Sequence, residues 1–242
     1  MEGWIHTPIE DQAAFDQQVK TVCDIYQAAP RLHNEGVKVM SCDEKTGIQA
    51  LERIITEMKS GRWEPQDHEY ERHGTQCLIA NFEVATGKII SPTIGQTRTE
   101  KDFKNHIKKT IKTAPTAEWI FIVDNLNTHQ SESLVRFIAA ACGIDEDLGQ
   151  KGKKGILESM KTRASFLSDL SHRIRFIYTP KHASWLNQVE IWFSILVKRL
   201  LKRLSVTCKK ELKQKISGFI DYFNSTMAKA FKWTYKGKVL AA

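Results

Sequence analysis

The stretch Trp119-Ile-Phe-Ile-Val-Asp124 is a continuous apolar run that stops on a carboxylate. Five apolar side chains without alternation fit a strand buried on both faces of a sheet, as in α/β proteins with helices on either side. An acid at the end of such a strand stands where open α/β sheets collect their ligands. Upstream, residues 37–42 form a second apolar run that ends at Asp43, with Lys45-Thr46-Gly47 as the expected turn. Residues 70–82 and 84–90 read as two further strands joined around Thr86-Gly87-Lys88, so an antiparallel three-stranded meander is expected. Residues 173–178 supply a last strand, stopped by Thr179-Pro180.

Helical spacing fills the intervals. Residues 9–29 carry apolar side chains at helix spacing, with Pro30 as the expected stop, and form an N-terminal helical arm (1–36) before one large domain (37–242). Residues 99–113 open with Glu100 and Asp102 and close with lysines, the charge order that suits the helix dipole. Residues 131–142 and 156–170 read as two more helices. Ser184 is the expected cap of a long helix in which Trp185, Val189, Trp192, Leu196, Leu200 and Leu204 line one apolar face. Asn187, Glu190 and Ser194 share a neighbouring face, so Glu190 can address a site while the apolar stripe packs.

Composition excludes several classes. Of 242 residues 41% are hydrophobic and 26% charged, close to the globular average, which argues against disorder. No apolar run approaches the roughly 18 residues of a membrane span, and no basic stretch leads into a hydrophobic segment, so a cytoplasmic protein is expected. The five cysteines are odd in number, scattered and never in a C-x-x-C pair, which points to free thiols. His68, His73 and Cys77 match no zinc spacing and are read as ordinary strand and loop residues. The net charge of +8 is uneven, because residues 151–215 hold 16 Lys and Arg against 4 Asp and Glu. Such a block suits a phosphate backbone, although solvated helix faces also carry lysines.

Three acids, Asp43, Asp124 and Glu190, are the candidates for chemistry. Phosphodiester cleavage needs carboxylates that hold two divalent ions, and convergent strand ends are rigid mounts for them. The strings SCDEKTGIQALER (41–53), FIVDNLNTHQS (121–131) and YTPKHASWLNQVEIWFSIL (178–196) resemble the signature blocks of DDE transposases of the mariner-like insertion-sequence-630 group. WTYKGKVL (233–240) is similar to the group's terminal block. The resemblance implies an RNase H-like fold: a mixed five-stranded sheet flanked by helices, with the acids at one edge of the active face. It also implies that Asp43, Asp124 and Glu190 are the metal-ligating catalytic triad, that Asp43 bridges two Mg²⁺ ions for which Mn²⁺ can substitute, and that the substrates are double-stranded transposon ends and target DNA. Insertion at TA is inherited from the same source.

Within these blocks Asn125, His129, Lys181, His182 and Asn187 are candidates for positioning DNA or the metal-bound groups. Capping by Asn125 and His129, and plain loop exposure of Lys181 and His182, stand as alternatives. Lys151, Lys153, Lys154, Lys198, Arg199, Lys202 and Arg203 are candidate DNA-backbone contacts. Glu190 follows Asp124 by 66 positions, wider than the mariner-like pattern, so an insertion is expected at 143–170. The stretch before Asp43 leaves no room for the helix-turn-helix domains of the group, which implies a separately encoded or frameshift-fused partner, or a truncated copy. A homodimer on DNA is expected. Two rival readings remain: an RNase H-like nuclease without strand transfer, and an inactive DNA-binding transposase remnant.

Overall fold

The computed structural model describes residues 11–53 and 70–235. His68, the first residues of the N-terminal helical pattern and residues 236–240 of the terminal block lie outside them. Among the described residues five strands form one sheet in the order β3-β2-β1-β4-β5. The meander is present: β1 (Val37–Arg53), β2 (Tyr70–Glu83) and β3 (Ile89–Gly95) pair antiparallel. β4 (Glu118–Val123) runs parallel to β1, and β5 (Ile174–Tyr178) parallel to β4. Every residue from Trp119 to Val123 is buried, as its unbroken apolar run requires.

Helices cover both faces. On one side α2 (Glu100–Ile111), α3 (Glu132–Cys142) and α4 (Met160–Leu167) bring Phe103, Ile107, Leu134, Ile138 and Phe166 against Met40, Cys42, Trp119, Phe121 and Phe176. On the other, α1 (Gln12–Asn34) packs Val19, Val22 and Tyr26 against Val39, Ile120 and Ile122. Beside it α5 (Val189–Arg199) and α6 (Lys209–Thr226) cover Leu78, Ala80 and Phe82. Each fully buried Phe, Ile or Leu contributes about 1.5–3 kcal/mol relative to exposure, so this face-to-face alternation fixes the register of every strand. Residues 143–170 join this core through Leu157, Phe166 and Leu167, with α4 shorter than expected and capped by Ser159.

Three sequence expectations are corrected. Lys45-Thr46-Gly47 does not end β1; the register with β2 shifts between Lys45 and Ile48, and Gly47 takes φ +64°. That is a bulge inside a continuing strand, made possible by a residue without Cβ. Asp43 is therefore mid-strand rather than at a strand's end. Pro30 does not stop α1, which runs to Asn34 because its buried face holds it to the sheet, with the Glu35 amide capping Arg31 and Leu32. The expected long helix after Ser184 is a 3₁₀ turn at Ser184–Leu186 followed by α5, and it ends at Arg199. Ser184 caps nothing by its side chain, and Trp185 is half exposed against the Tyr235 ring instead of lining the core.

Candidate active site

Parallel pairing of β1 with β4 aligns Ser41 with Ile122. Two residues further along each strand stand Asp43 and Asp124, on the same face by the period-two alternation of side chains. That face is the one α5 covers, and Glu190 occupies its first turn. The start of α5 is tied directly to the strand carrying Asp43. The Ser41 hydroxyl accepts from the Val189 amide at 2.8 Å and donates to the Asn187 side-chain oxygen. The Asn187 amide group donates to the Cys42 carbonyl at 3.0 Å and to Asp43 Oδ2 at 3.3 Å. Tyr26 of α1 closes the network, its hydroxyl donating to the Leu186 carbonyl at 2.8 Å and accepting from the Gln188 amide at 3.3 Å.

The acids crowd one another. Asp43 is 8% exposed. Burial first, and then the charges of Asp124, Glu44 and Glu190, push its carboxyl up to about 7, against the pull of the Glu44 amide on Oδ1 at 2.7 Å. Asp124 goes the other way. Burial works against its charged form, but the His129 contact, the Leu126 amide and the positive charge of Arg98 outweigh it, so its carboxyl lies below the usual range. Both short contacts fall on one oxygen: His129 Nδ1 at 2.8 Å and the Leu126 amide at 3.0 Å meet Asp124 Oδ1.

His129 is completely buried and faces a carboxylate at each ring nitrogen, the second being Glu44 Oε1 at 3.1 Å from Nε2. Burial opposes its protonation, yet the bonds and charges of Asp124 and Glu44 raise it to about 10, so both nitrogens donate. The Phe103 ring lies 4.1 Å from the imidazole, and the Tyr178 hydroxyl donates to the His129 carbonyl at 3.0 Å. Asn125 donates to the Thr179 carbonyl at 2.5 Å, linking the ends of β4 and β5.

The structure brings Asp43, Asp124, Glu190, His129, Asn187 and Asn125 to one end of the sheet. Lys181 and His182 are exposed on the loop before the 3₁₀ turn, with His182 at φ +62°. Lys198, Arg199, Lys202 and Arg203 are exposed at the far end of α5. Lys151, Lys153 and Lys154 sit on a tight reversal bridged by Gln150 and Lys154, away from the sheet. The sequence reading missed Glu44, Ser41, Tyr26 and Arg98. Glu44 had a signal, since it adjoins Asp43; the others act through folded contacts that no local pattern encodes.

The donors suit hard divalent ions: carboxylate oxygens whose mutual repulsion a cation relieves. Among the described residues, one group of three side chains, Glu52, Glu71 and His73, has all its ligand atoms within 4.8 Å of one another. There His73 already pairs with Glu52 at 2.9 Å. No other such group is found among the described residues, so the ligand atoms of Asp43, Asp124 and Glu190 do not all lie within that distance of one another.

The family model described as DDE superfamily endonuclease matches residues 38–213. No curated protein matches the chain by sequence. Among solved structures, the Mos1 mariner paired end complex with Mn aligns with TM-score 0.54 at 14% identity, over 96% of this chain and 61% of that one. The Mos1 transposase paired-end complex with left transposon end gives 0.52 at 12% identity, over 96% and 61%. The Mos1 transposase catalytic domain with raltegravir and Mg gives 0.50 at 12% identity, over 96% of this chain and 90% of that one. The chain therefore spans about three fifths of the two paired-end proteins. At such identities the likeness is one of fold, the RNase H-like mixed sheet flanked by helices.

Proposed function

The chain belongs to the DDE superfamily endonucleases, and on that footing we propose that it is the catalytic domain of a mariner-like transposase acting on DNA ends. The observation that carries this reading is the convergence of Asp43, Asp124 and Glu190 from two parallel strands and one helix start, where burial first and then the neighbouring acids push the Asp43 carboxyl up to about 7. Two divalent ions, Mg²⁺ or Mn²⁺, bound by these acids would activate an attacking oxygen and steady a leaving one. By resemblance to the insertion-sequence-630 group, Asp43 would be held in common by both ions, and Asp124 and Glu190 would each complete one side. Asn187 orients Asp43 and the start of α5 at once, so it fixes the distance between the first and third acids. The relatives crystallised with Mn, with Mg and as paired-end complexes support divalent ions and DNA ends as its partners.

The reaction is in-line displacement at phosphorus. A water oxygen bonds to phosphorus as the P–O3′ bond breaks, and the freed 3′-hydroxyl oxygen then bonds to a target phosphorus as that phosphodiester's own P–O3′ bond breaks and its 3′ oxygen leaves with a proton, at TA by resemblance to the insertion-sequence-630 group. Lys198, Arg199, Lys202 and Arg203 at the end of α5, with Lys151, Lys153 and Lys154, meet the DNA backbone, and two copies hold two ends. No helix among the described residues is long and apolar enough to cross a membrane.

The test is a joining reaction: a pre-cleaved transposon-end duplex, a supercoiled plasmid and Mg²⁺ or Mn²⁺. Joined product in wild type and none with Asp43→Asn, Asp124→Asn or Glu190→Gln is expected. Metal-dependent nicking without joining would instead place the chain with nucleases that do not transfer strands.

A further inference from the structure

We infer that Glu44 is a positioning residue of the active centre: through His129 it fixes the Asp124 carboxylate so that Oδ2 alone is presented to a divalent ion. The inference rests on the reading of Asp124 as a metal ligand. Glu44 is the fourth acid of the cluster and the neighbour of Asp43, so adjacency alone would make it a further ligand. Strand alternation excludes that, because successive side chains of β1 leave on opposite faces. Asp43 faces α5, whereas Glu44 turns to the side of Met40, Cys42 and Phe103, where its side chain is 1% exposed.

A carboxylate so deeply buried needs a partner, and it has one in His129. The imidazole is held at both nitrogens, against Phe103 by its ring and to Tyr178 by its carbonyl, so it has one orientation. Its other nitrogen meets Asp124 Oδ1, which also takes the Leu126 amide. With Oδ1 occupied twice, Oδ2 is the oxygen without a protein partner among the described residues. Asp124 is thereby a one-oxygen ligand whose aim is set from the opposite face of the sheet. Partners of this kind typically change metal affinity about 10–100-fold when removed.

The experiment measures Mn²⁺ binding to the full chain by calorimetry, without DNA, for wild type, Glu44→Gln, Asp124→Asn, His129→Asn and the Glu44→Gln/His129→Asn pair. Glu44→Gln is expected to keep the wild-type ion count and weaken binding at least tenfold. The double variant should be no worse than His129→Asn alone, since Glu44 acts only through the ring. Melting in EDTA checks that each variant folds. Independently of any variant, the side-chain ¹⁵N spectrum of wild type should show His129 Nδ1–H moving when Mg²⁺ is added. Wild-type affinity in Glu44→Gln, additive losses in the pair, a lost ion as in Asp124→Asn, or an unmoved His129 signal would each overturn the inference. If Asp124→Asn itself leaves Mn²⁺ binding untouched, it is the metal reading that fails.

Discussion

Asp43 carries a conflict that only the fold maintains: a buried carboxylate pushed up to about 7 with three other acids near it. Without metal, Asp43→Asn removes that repulsion, so its melting temperature in EDTA should rise, by about 2–4 °C for each kcal/mol recovered, while activity disappears. A fall would mean that the acid is held by contacts beyond those described. His106 is the opposite case. Burial first, then the positive charges of Lys109 and His129, lower it to about 3, and among the described residues its ring has one hydrogen-bond partner, the Thr93 hydroxyl at 2.9 Å. A histidine whose folded value lies below its unfolded one is neutral in the fold and protonates on unfolding. Stability is therefore fully present above about 6.5 and drains away as pH falls from there towards 3. His106→Gln should flatten the dependence of the urea midpoint on pH across that window; an unchanged slope would contradict the assignment. The three acids were legible as candidates because each sits in a long motif. The imidazole pairing with Glu44 was not, because it joins residues 85 positions apart.

At the scale of elements, the site depends on how β1 holds α5. Ser41→Ala leaves the Val189 amide and the Asn187 oxygen without their buried partner, a loss of about 1–3 kcal/mol by urea denaturation. The same variant should lose joining activity beyond what the residual folded fraction explains, because the first turn that carries Glu190 is released. Gly87 tests the meander: at φ +73°, a Cβ there would lie 2.0 Å from the Lys229 carbonyl. Gly87→Ala should cost more than about 2 kcal/mol, combining left-handed strain with overpacking. The antiparallel meander and the buried run of β4 were readable from periodicity. The bulge at Gly47 was not, because a Lys-Thr-Gly triplet reads equally as a turn, and only the continued pairing of Ile48 and Gln49 with β2 distinguishes the two. The short α5 was hidden for a similar reason: apolar spacing continued through Trp185 and Leu204, but the actual start is set by Ser41 from another strand.

The molecule as a whole places a negative centre beside a positive flank. Residues 151–215 carry a net +12, and the seven basic residues proposed for DNA are all exposed. Affinity for duplex should fall linearly on a log–log salt plot, and Lys198→Ala/Lys202→Ala should reduce the slope by roughly 0.9 for each phosphate the pair neutralises in wild type. A slope unchanged by the pair would remove the end of α5 from the DNA path. The meander and most of the helices followed from the pattern of apolar runs, motif resemblance supplied the mixed five-stranded sheet, and the order in which β4 and β5 join it came only with the structure. The packing of Leu157, Phe166 and Leu167 on the core did not follow, since the sequence marks 156–170 as a helix without showing which face the sheet buries. Whether the three acids form a two-ion centre is tested most directly by anomalous diffraction from crystals soaked in Mn²⁺. Two peaks about 3.5–4 Å apart are expected, ligated by Asp43, Asp124 and Glu190 with Asp43 common to both. Mn²⁺ absent from these acids, and bound instead at Glu52, Glu71 and His73, would contradict that centre.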